Sequence, residues 1–401
     1  MKLFFVLFCL VSVGFAQKNQ HQKGLWKGLV MPNDRLSVPF SLHLEKGKYT
    51  ISNGNENILL SVKKHGRDSL RATFPEADAE LVFAFENPQS LRGYWRNLNA
   101  KTVVSVPFQA YFAPNEKRCN PVGNATQIDF SGKWKTVFSP QTPQASNAIG
   151  LFKVNEQKIT GTFLTESGDY RFLEGNVNGN SWQMSSFNGV WAFLVDANFE
   201  NDTLKGIFYS GASGRTPFFA VRDTKFELGN PNDLTTVVND LPFQFDDFVT
   251  LKNKPFTFPG KRYKDKMVIF QIMGTWCPNC MDETQLFKEM YSRYNKQGLE
   301  IIALGYERGT DKSAQIKRLK EFKKRLKVPY QVLLCGTSSK DVAAKHFPML
   351  SGISSFPTTV FLDRKGKIVA VHTGFNGPAT GESYKLWVDG TIQLIEQYLL
   401  K

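Results

Sequence analysis

The sequence predicts a multidomain protein in which an N-terminal all-β antiparallel region is followed by an α/β domain. At 401 residues the chain is too long for one ordinary hydrophobic core. Between about residues 24 and 223, short segments rich in Phe, Val, Ile, Tyr and Trp are separated by Asn-Gly, Gly-Asn, Ser-Gly and Lys-Gly pairs, which are typical of antiparallel hairpins. After about residue 235 the pattern changes to strands that alternate with helices, which indicates a sheet flanked by helices.

The all-β region shows signs of an internal duplication. Three short matches occur in the same order at a nearly constant offset: GLWK at 24–27 and GKWK at 132–135, LRGYW at 91–95 and LKGIF at 204–208, VPF at 106–108 and TPF at 216–218. We therefore expect two related β units, residues 17–115 and 124–227, each a small sandwich or barrel. Linker loops at 114–123 and 228–233 would separate these units from each other and from a third domain at 235–401.

Residues 1–16 have the features of a cleaved secretory signal. A short basic start precedes an apolar run at 3–13, and small residues follow at 14–16. The apolar run is too short to span a bilayer. Lipidation of Cys9 is not expected, because Phe8 stands where a lipoprotein signal needs a small residue. We expect an exported protein, located in the periplasm or, as the alternative, secreted beyond the cell.

The net charge of +14 does not by itself indicate nucleic-acid binding, because the basic residues are spread along the whole chain. The densest cluster, Lys317 to Lys327, alternates with Ile316, Leu319, Phe322 and Leu326 at helical spacing. This pattern predicts the solvated face of an amphipathic helix, and we expect no nucleic acid among the partners. A negatively charged partner surface or membrane headgroups are the alternatives for this cluster.

The cysteines point to chemistry more than to scaffolding. Without Cys9, the remaining cysteines are Cys119, Cys277, Cys280 and Cys335. They are too few for disulfide bonds to stabilise an exported chain of this size. Cys119 lies in a polar loop and is predicted to be an exposed thiol able to form intermolecular disulfides. Cys335 ends a predicted strand and is expected to be buried and inert, with a third redox role or a bond to Cys119 as alternatives.

The secondary structure of the C-terminal domain follows from its apolar periodicity. Strands are predicted at 267–273, 299–304, 331–334, 358–362 and 368–373, and helices at 280–294, 311–326, 338–346 and 382–400.

Two cysteines stand one helical turn apart, directly after the first of these strands, in the run MGTWCPNC at 273–280. At a strand-to-helix junction, the free N–H groups and the positive end of the helix dipole favour a thiolate at Cys277. One alternative is half of a zinc site, but no second CxxC or paired histidines supply the other ligands. The other is a structural disulfide, but a bridge across two residues is strained and easily reduced.

The C-terminal part of the chain, from about residue 240 to 401, resembles the thioredoxin superfamily, and within it the exported TlpA and ResA-like thiol-disulfide oxidoreductases. The resemblance rests on GTWCPNC at 274–280, on SFPTTVFLD at 355–363 and on the glycine turn RKGK at 364–367. It implies a thioredoxin-like fold, protein disulfide or dithiol substrates, an upstream membrane-associated thiol electron donor, and no metal or organic cofactor. The dipeptide between the cysteines tunes redox potential in this family.

The resemblance also implies roles for individual residues. Cys277 would attack the substrate, Cys280 would resolve the mixed disulfide, and the pair would form the redox-active disulfide. Glu283 lies three residues beyond Cys280 on the same helical face and would take its proton, directly or through water. Equally, Glu283 is explained as an acidic residue placed in the first turn for its dipole energy.

Three further residues are expected to meet the substrate. Pro357 matches the cis-proline of the family, which leaves the backbone of Phe356 free to pair with a substrate peptide; a trans proline opening an edge strand is the alternative. Trp276 would shield the active disulfide, or else pack as an ordinary aromatic residue.

These observations favour an exported thiol-disulfide oxidoreductase, acting as a reductase of protein disulfides. A thiol peroxidase of the peroxiredoxin kind is the alternative enzyme, although Gly274 stands where peroxiredoxins place Thr or Ser, three residues before the reactive cysteine. A third hypothesis is a β protein that binds a ligand or partner and carries an accessory redox domain.

Overall fold

The computed structural model describes residues 21–100, 102–125 and 127–399, which form three β sheets from successive stretches of the chain. Two antiparallel, barrel-like sheets precede a mixed sheet with helices, so the predicted fold class is confirmed. The predicted signal at residues 1–16 lies outside the described residues. Within the described part, no helix is long and apolar enough to cross a membrane.

The first sheet is a closed antiparallel barrel, in which each strand pairs with the next and the last pairs with the first. Its strands are β1 Gly24–Asn33, β2 Leu36–Glu45, β3 Lys48–Asn53, β4 Glu56–His65, β5 Ser69–Thr73, β6 Ala79–Asn87, β7 Ser90–Asn97 and β8 Val106–Phe112.

The second sheet is also antiparallel, and its ring of strands closes because β10 pairs with both β9 and β11. Its strands are β9 Gly132–Phe138, β10 Ser146–Asn155, β11 Lys158–Thr165, β12 Gly168–Asp169, β13 Leu173–Asn178, β14 Ser181–Phe187, β15 Ala192–Glu200, β16 Thr203–Ser210 and β17 Gly214–Arg222. We call these two sheets the first and second barrels.

Matching positions of the two barrels have matching environments. Trp26 and Trp134 are each fully buried, and each indole Nε1 donates to the carbonyl of the residue four positions earlier, Gln22 at 3.1 Å and Phe130 at 2.9 Å. Strands β7 and β16 have the same alternation of buried and exposed residues. These features agree with an internal duplication.

The barrels pack directly on each other through aromatic side chains. Phe187, at the end of β14 in the second barrel, belongs to the apolar core of the first. Its ring lies 4.8 Å from that of Phe40 and meets those of Phe74 and Trp95 edge-on at 5.8 and 5.3 Å. Such aromatic contacts stabilise an interface beyond the area they bury, so the two barrels form one packed body.

The third sheet has the order β19-β18-β22-β21-β20-β23-β24, with β20, β21 and β22 parallel. Its strands are β18 Phe245–Thr250, β19 Pro255–Phe258, β20 Met267–Met273, β21 Leu299–Glu307, β22 Gln331–Thr337, β23 Thr358–Leu362 and β24 Ile368–Thr373, and the helices are α1 Pro278–Tyr294, α2 Lys312–Arg325, α3 Lys340–Lys345 and α4 Glu382–Leu399.

The predicted elements of this domain are present, with differences at their ends. Strands β20, β23 and β24 have the predicted bounds, whereas β21 and β22 each continue past their predicted last residue, to Glu307 and Thr337. The sequence analysis missed β18 and β19, which add an edge to the sheet. All seven residues of β20 are buried, as expected for a continuous apolar run at the centre of a parallel sheet.

The loop predicted at 114–123 is buried at its centre, and the prediction of an exposed thiol at Cys119 is wrong. Cys119 is 1% exposed, and its backbone N–H donates to Asn176 Oδ1 at 3.0 Å. Burial raises the pKa of the Cys119 thiol to about 11, which makes it a poor nucleophile. The loop is buried because it runs between the two barrels, a contact that its polar composition does not reveal.

Arg118 is the polar centre of this junction between barrels. Its guanidinium donates to Asn53 Oδ1 at 2.8 Å and to the Ser52 carbonyl at 2.6 Å in the first barrel, and to Ser185 Oγ at 2.9 Å in the second. A buried cation is tolerated only where such partners replace water.

The basic cluster on α2 is only partly solvated, so that prediction needs correction. The helix buries Ile316, Leu319 and Phe322 as predicted. However, Arg325 is half-buried and its Nη2 donates to the carbonyl of Glu76 at 3.5 Å. The first barrel packs along this side of α2 and removes part of the basic face from water.

We predict that Arg118→Met lowers the free energy of unfolding by about 3 kcal/mol, because the buried acceptors around the guanidinium lose their donor. Urea unfolding of the full chain measures this change. Arg67→Met, at an exposed position of the first barrel, is the matched control and should behave as wild type. Equal stability of the two variants would contradict a role for Arg118 in joining the barrels.

Candidate functional site

The two cysteines of the CxxC run lie where β20 passes into α1. Cys277 is the N-cap of the helix, and its Sγ accepts a hydrogen bond from the backbone N–H of Cys280 at 3.4 Å. Pro278 occupies the first helical position, where its fixed φ favours the helix and its missing N–H is not needed. Both cysteines are free thiols, 7% and 0% exposed. The sulfur of Cys277 therefore lies against the unpaired N–H groups of the helix start, where negative charge is stabilised.

Glu283 is fully buried in the second turn of α1, beyond Cys280. Its carboxylate accepts from Thr359 Oγ1 at 2.7 Å and from Gln271 Nε2 at 2.9 Å. Burial raises the pKa of Glu283 to about 8, against the opposing effect of these two hydrogen bonds. Glu283 is therefore not a first-turn acid placed for its dipole energy, because the first turn of α1 contains no acidic residue.

Cys280 and Glu283 share a polar neighbour in an apolar surrounding. The Gln271 amide donates to the carbonyl of Cys280 at 3.2 Å and also to Glu283. Burial, followed by the interactions with Cys277 and Glu283, raises the pKa of Cys280 well above its ordinary value. In the described part of the chain the Glu283 carboxylate has no direct hydrogen bond to the Cys280 thiol. Proton transfer between them therefore requires a bridging water or a side-chain rotation.

Trp276 covers the backbone just before the cysteine pair. Its Nε1 donates to the carbonyl of Tyr306 at 2.9 Å, and its ring meets Phe356 edge-on at 5.5 Å. A Cβ at position 274 would lie 2.2 Å from this Nε1, so Gly274 is the residue that lets the indole lie there. The side chain is half-buried, which agrees with both a shielding and a packing role.

Phe356 and Pro357 lie beside Cys277, as the family resemblance implies. The Phe356–Pro357 bond is cis. The thiol of Cys277 donates to the carbonyl oxygen of Phe356 at 3.5 Å, and the Phe356 side chain is 8% exposed. The structure thus brings Trp276, Cys277, Phe356 and Pro357 together at one end of the sheet.

Sequence reasoning missed a second buried carboxylate at this site. Glu307, at the end of β21, accepts from the backbone N–H of Thr275 at 2.8 Å and from its hydroxyl at 2.7 Å. Burial raises the pKa of Glu307 to about 7, although the two hydrogen bonds lower it. A lone acid that ends an apolar strand is a detectable signal, since a buried strand rarely carries an unpaired charge. Gln271 within β20 is a related signal, because it is the one polar residue in an otherwise apolar strand.

Both barrels reach the start of α1. Arg171 of the second barrel forms ion pairs with Glu56 at 2.6 Å and Glu76 at 3.4 Å in the first, and with Asp282 of α1 at 3.1 Å. A cavity of about 380 Å³ lies beside this cluster, and Pro278 is among the residues that line it. All three parts of the chain therefore meet at the start of α1.

The second barrel also pairs with the loop after β24. Gly168 forms a parallel bridge with Phe375, and Asp169 Oδ1 accepts from the backbone N–H of Gly377 at 2.7 Å. Asn279 Nδ2 donates to the carbonyl of the same Phe375 at 3.5 Å. The residue pair between the two cysteines thus lies next to the second barrel.

The remaining cysteine is separate from this site. Cys335 lies inside β22 and not at its end, and it is buried as predicted. Burial raises the pKa of Cys335 well above its ordinary value, which agrees with an inert thiol. Among the described residues, no group of three or more His, Cys, Asp or Glu side chains is arranged to hold a metal ion.

Comparison with known proteins concerns the C-terminal domain. Residues 244–371 match the model of the AhpC/TSA family. The thiol-disulfide oxidoreductase ResA of Bacillus cereus is 28% identical over 169 residues, which are 41% of this chain and 80% of that protein. ResA of Geobacillus thermodenitrificans is 29% identical over 112 residues, 28% of this chain and 57% of that protein. The match to the second of these proteins therefore leaves a large part of its length without a counterpart in this chain.

Solved structures similar to this chain cover the same region. StoA from Bacillus subtilis is 22% identical, covers 37% of this chain and 98% of its own, and has a TM-score of 0.27. A protein described as a putative protein disulfide isomerase from Bacteroides thetaiotaomicron is 19% identical, covers 41% of this chain and 91% of its own, and has a TM-score of 0.31.

We predict a pH-dependent difference in stability between wild type and Glu283→Gln. With a pKa of about 8 when folded and 4.5 as its ordinary value, Glu283 binds more protons in the folded state between these limits. Wild-type stability from this group is therefore lost as the pH rises through that window, by at most roughly 1.4 kcal/mol per pH unit. The free energy of unfolding of the variant, minus that of wild type, should increase with pH.

Urea unfolding at pH values across this window measures that difference. Glu289→Gln removes an exposed carboxyl from the same helix and is the control, which should show no comparable trend. A difference between Glu283→Gln and wild type that stays constant with pH would argue against a raised pKa at Glu283.

Proposed function

Because the C-terminal domain is a thioredoxin-like domain with thiol-disulfide oxidoreductases among its homologues, we propose that this protein reduces disulfide bonds in other proteins through Cys277 and Cys280. The observation that carries the proposal is Cys277 at the N-cap of α1, where its Sγ accepts a hydrogen bond from the N–H of Cys280. Cys280 lies behind it, buried and protonated. This arrangement pairs a nucleophile with a resolving thiol.

The first step is attack by the Cys277 thiolate on a substrate disulfide. A new bond forms between Sγ and one substrate sulfur, the substrate S–S bond breaks, and the other substrate sulfur leaves as a thiolate that takes up a proton. The Phe356 backbone beside Pro357, which lies against Cys277, is placed to align the substrate chain. Trp276 limits access of water and of other thiols.

The second step is attack by Cys280 on Cys277. Cys280 gives its proton to Glu283, by a bridging water or a rotation, and its sulfur then displaces the substrate thiolate from Cys277. The two protein thiols are thereby oxidised to the Cys277–Cys280 disulfide, and the substrate has gained two electrons. With a pKa of about 8, Glu283 accepts the proton in its ionised form, which is the minor form at neutral pH, and the proton affinity of that form is close to that of a thiol.

Continued turnover requires a dithiol donor that reduces the Cys277–Cys280 disulfide again. We propose an exported, periplasmic enzyme with an upstream thiol donor at the membrane. The apolar segment at residues 3–13 and the resemblance to ResA support this. The preference for reduction over oxidation rests on the resemblance of the sequence motifs to the TlpA and ResA-like family.

A thiol peroxidase is the second candidate, because the match is to the AhpC/TSA family and peroxiredoxins resemble the same core. Against it, the hydroxyl of Thr275 donates to Glu307 and position 274 is glycine. A side chain at 274 would also collide with the Trp276 indole. We therefore place the peroxidase reaction second.

We expect Cys280→Ser to trap substrates as mixed disulfides, since the Cys277 adduct can then no longer be resolved. Non-reducing electrophoresis and mass spectrometry after expression in an exporting host detect the adducts, which a reductant should release. The double variant Cys277→Ser/Cys280→Ser should trap nothing, and Cys335→Ser should behave as wild type. Absence of adducts that depend on Cys277 would count against exchange with protein disulfides.

We expect wild type to consume hydrogen peroxide, with dithiothreitol as reductant, no faster than Cys277→Ser does. The reason is that no hydroxyl at position 274 is available to position a peroxide beside the sulfur. Loss of peroxide over time measures the rate. Rapid consumption that depends on Cys277 would instead favour the peroxidase.

A further inference from the structure

We propose that the first barrel sets the reactivity of Cys277 through two positioning residues. One is Asn99 of the barrel itself, and the other is Arg308 of the C-terminal domain, which the barrel holds. The inference deepens the proposed function and rests on it. It assigns the barrel a part in the redox centre itself, rather than only in recruiting substrates. Neither residue bonds to a reacting sulfur: Asn99 acts through the loop residue that it holds, and Arg308 acts through its charge.

The first barrel enters the redox centre through the segment after β7. Asn99 Nδ2 donates to Thr275 Oγ1 at 2.9 Å, and the two residues are 4% and 6% exposed. The same hydroxyl donates to Glu307, so Thr275 is held from both sides. Because Thr275 lies two residues before Cys277, this contact restrains the loop that carries the nucleophile.

Asn99 is poorly explained as a residue that only stabilises the contact between domains. Its Oδ1 is buried and has no hydrogen-bond partner among the described residues. An unpaired buried carbonyl costs about 1–3 kcal/mol, which an apolar side chain would avoid. Other contacts already join the domains, such as the ion pair of Arg171 with Asp282. The position therefore favours a role in the site over a role in stability.

Arg308 is the second link between the barrel and the redox centre. Its Nη1 donates to the backbone carbonyl of Asn99 at 2.8 Å, and its guanidinium lies 5.2 Å from the centre of the Trp276 ring. It is half-buried, and its carbonyl accepts from Arg318 Nη1 at 2.7 Å. The barrel thus holds a cation over the residue next to Cys277.

The guanidinium of Arg308 lies over Trp276, the residue next to Cys277. Burial lowers the pKa of Arg308, whereas the negative charges of Glu307 and Cys277 raise it. The guanidinium stays protonated, since an arginine loses its proton only far above neutral pH. A cation near Cys277 stabilises the thiolate, which is both the nucleophile and part of the reduced state. Stabilising the reduced state makes the couple a stronger oxidant.

The test compares Asn99→Ala and Arg308→Met with wild type in the full chain. Two readouts apply to the reduced protein: the rate of alkylation of Cys277 by iodoacetamide at neutral pH, and the equilibrium of the Cys277–Cys280 pair with glutathione. We expect Arg308→Met to slow alkylation about fivefold, which corresponds to the interaction energy of a partly exposed charge pair. We also expect it to shift the equilibrium towards the protein disulfide. Arg308→Lys should restore most of both.

Asn99→Ala should shift both readouts in the same direction, by a smaller factor. Asn99→Ala removes the side-chain contact with Thr275 but keeps the backbone carbonyl that Arg308 binds, so its effect should persist in the Arg308→Met background. The control is Arg325→Met, which removes a cation from the contact between α2 and the first barrel, at Glu76 and away from Asn99, and it should leave both readouts unchanged. Thermal unfolding of each variant shows whether it folds. If Asn99→Ala does not fold, the Arg308→Met variant alone still decides the test.

Two results would overturn the inference: an Arg308→Met variant that matches wild type in both readouts, or an Asn99→Ala variant that matches wild type in both. Failure of the proposed function has a different signature. It would appear as wild-type protein that does not accelerate the reduction of insulin by dithiothreitol. Alkylation and glutathione equilibrium are measured without a substrate, so they decide the inference whichever way the insulin assay turns out.

Discussion

The start of helix α1 is the constraint on which the redox chemistry of this protein depends. Its first N–H groups have no partner within the helix, and the sulfur of Cys277 takes the place that a capping oxygen usually fills. The central strand β20 delivers the chain to this point, Pro278 begins the helix, and Gly274 leaves room for Trp276. If the start of α1 were displaced, Cys277 would move away both from the positive end of the helix dipole and from Cys280.

Two buried carboxyls flank the cysteine pair, and burial raises the pKa of each. Glu283 lies behind Cys280, with a pKa of about 8, and Glu307 lies behind the preceding loop, with a pKa of about 7. In each case a threonine hydroxyl, of Thr359 or Thr275, donates to the carboxylate. Removing such groups from water destabilises the fold at neutral pH. The remainder of the core has to offset that cost.

The two barrels bring charged and polar contacts to this site rather than an apolar surface. Arg171 meets Asp282 of the active-site helix, Asp169 meets the backbone of Gly377, and Asn99 meets the loop before the cysteines. Polar contacts of this kind depend on geometry more than apolar ones do, because a displaced partner leaves a buried group unpaired. The barrels consequently fix the environment of the cysteines, and the domain arrangement is part of the chemistry of the site.

The sequence by itself determined the strand-to-helix junction at Cys277, the bounds of β20, β23 and β24, and the position of Glu283 on the face of Cys280. These features follow from local periodicity, since each residue's side chain direction is set by its own element. Only the tertiary structure decided that Cys119 is buried, that Glu307 holds Thr275 and that the first barrel reaches the site through Asn99. Those contacts join residues far apart in the chain, and they depend on how the surfaces of the folded barrels and of the C-terminal domain fit together. A polar loop has the same sequence pattern whether water or another barrel covers it.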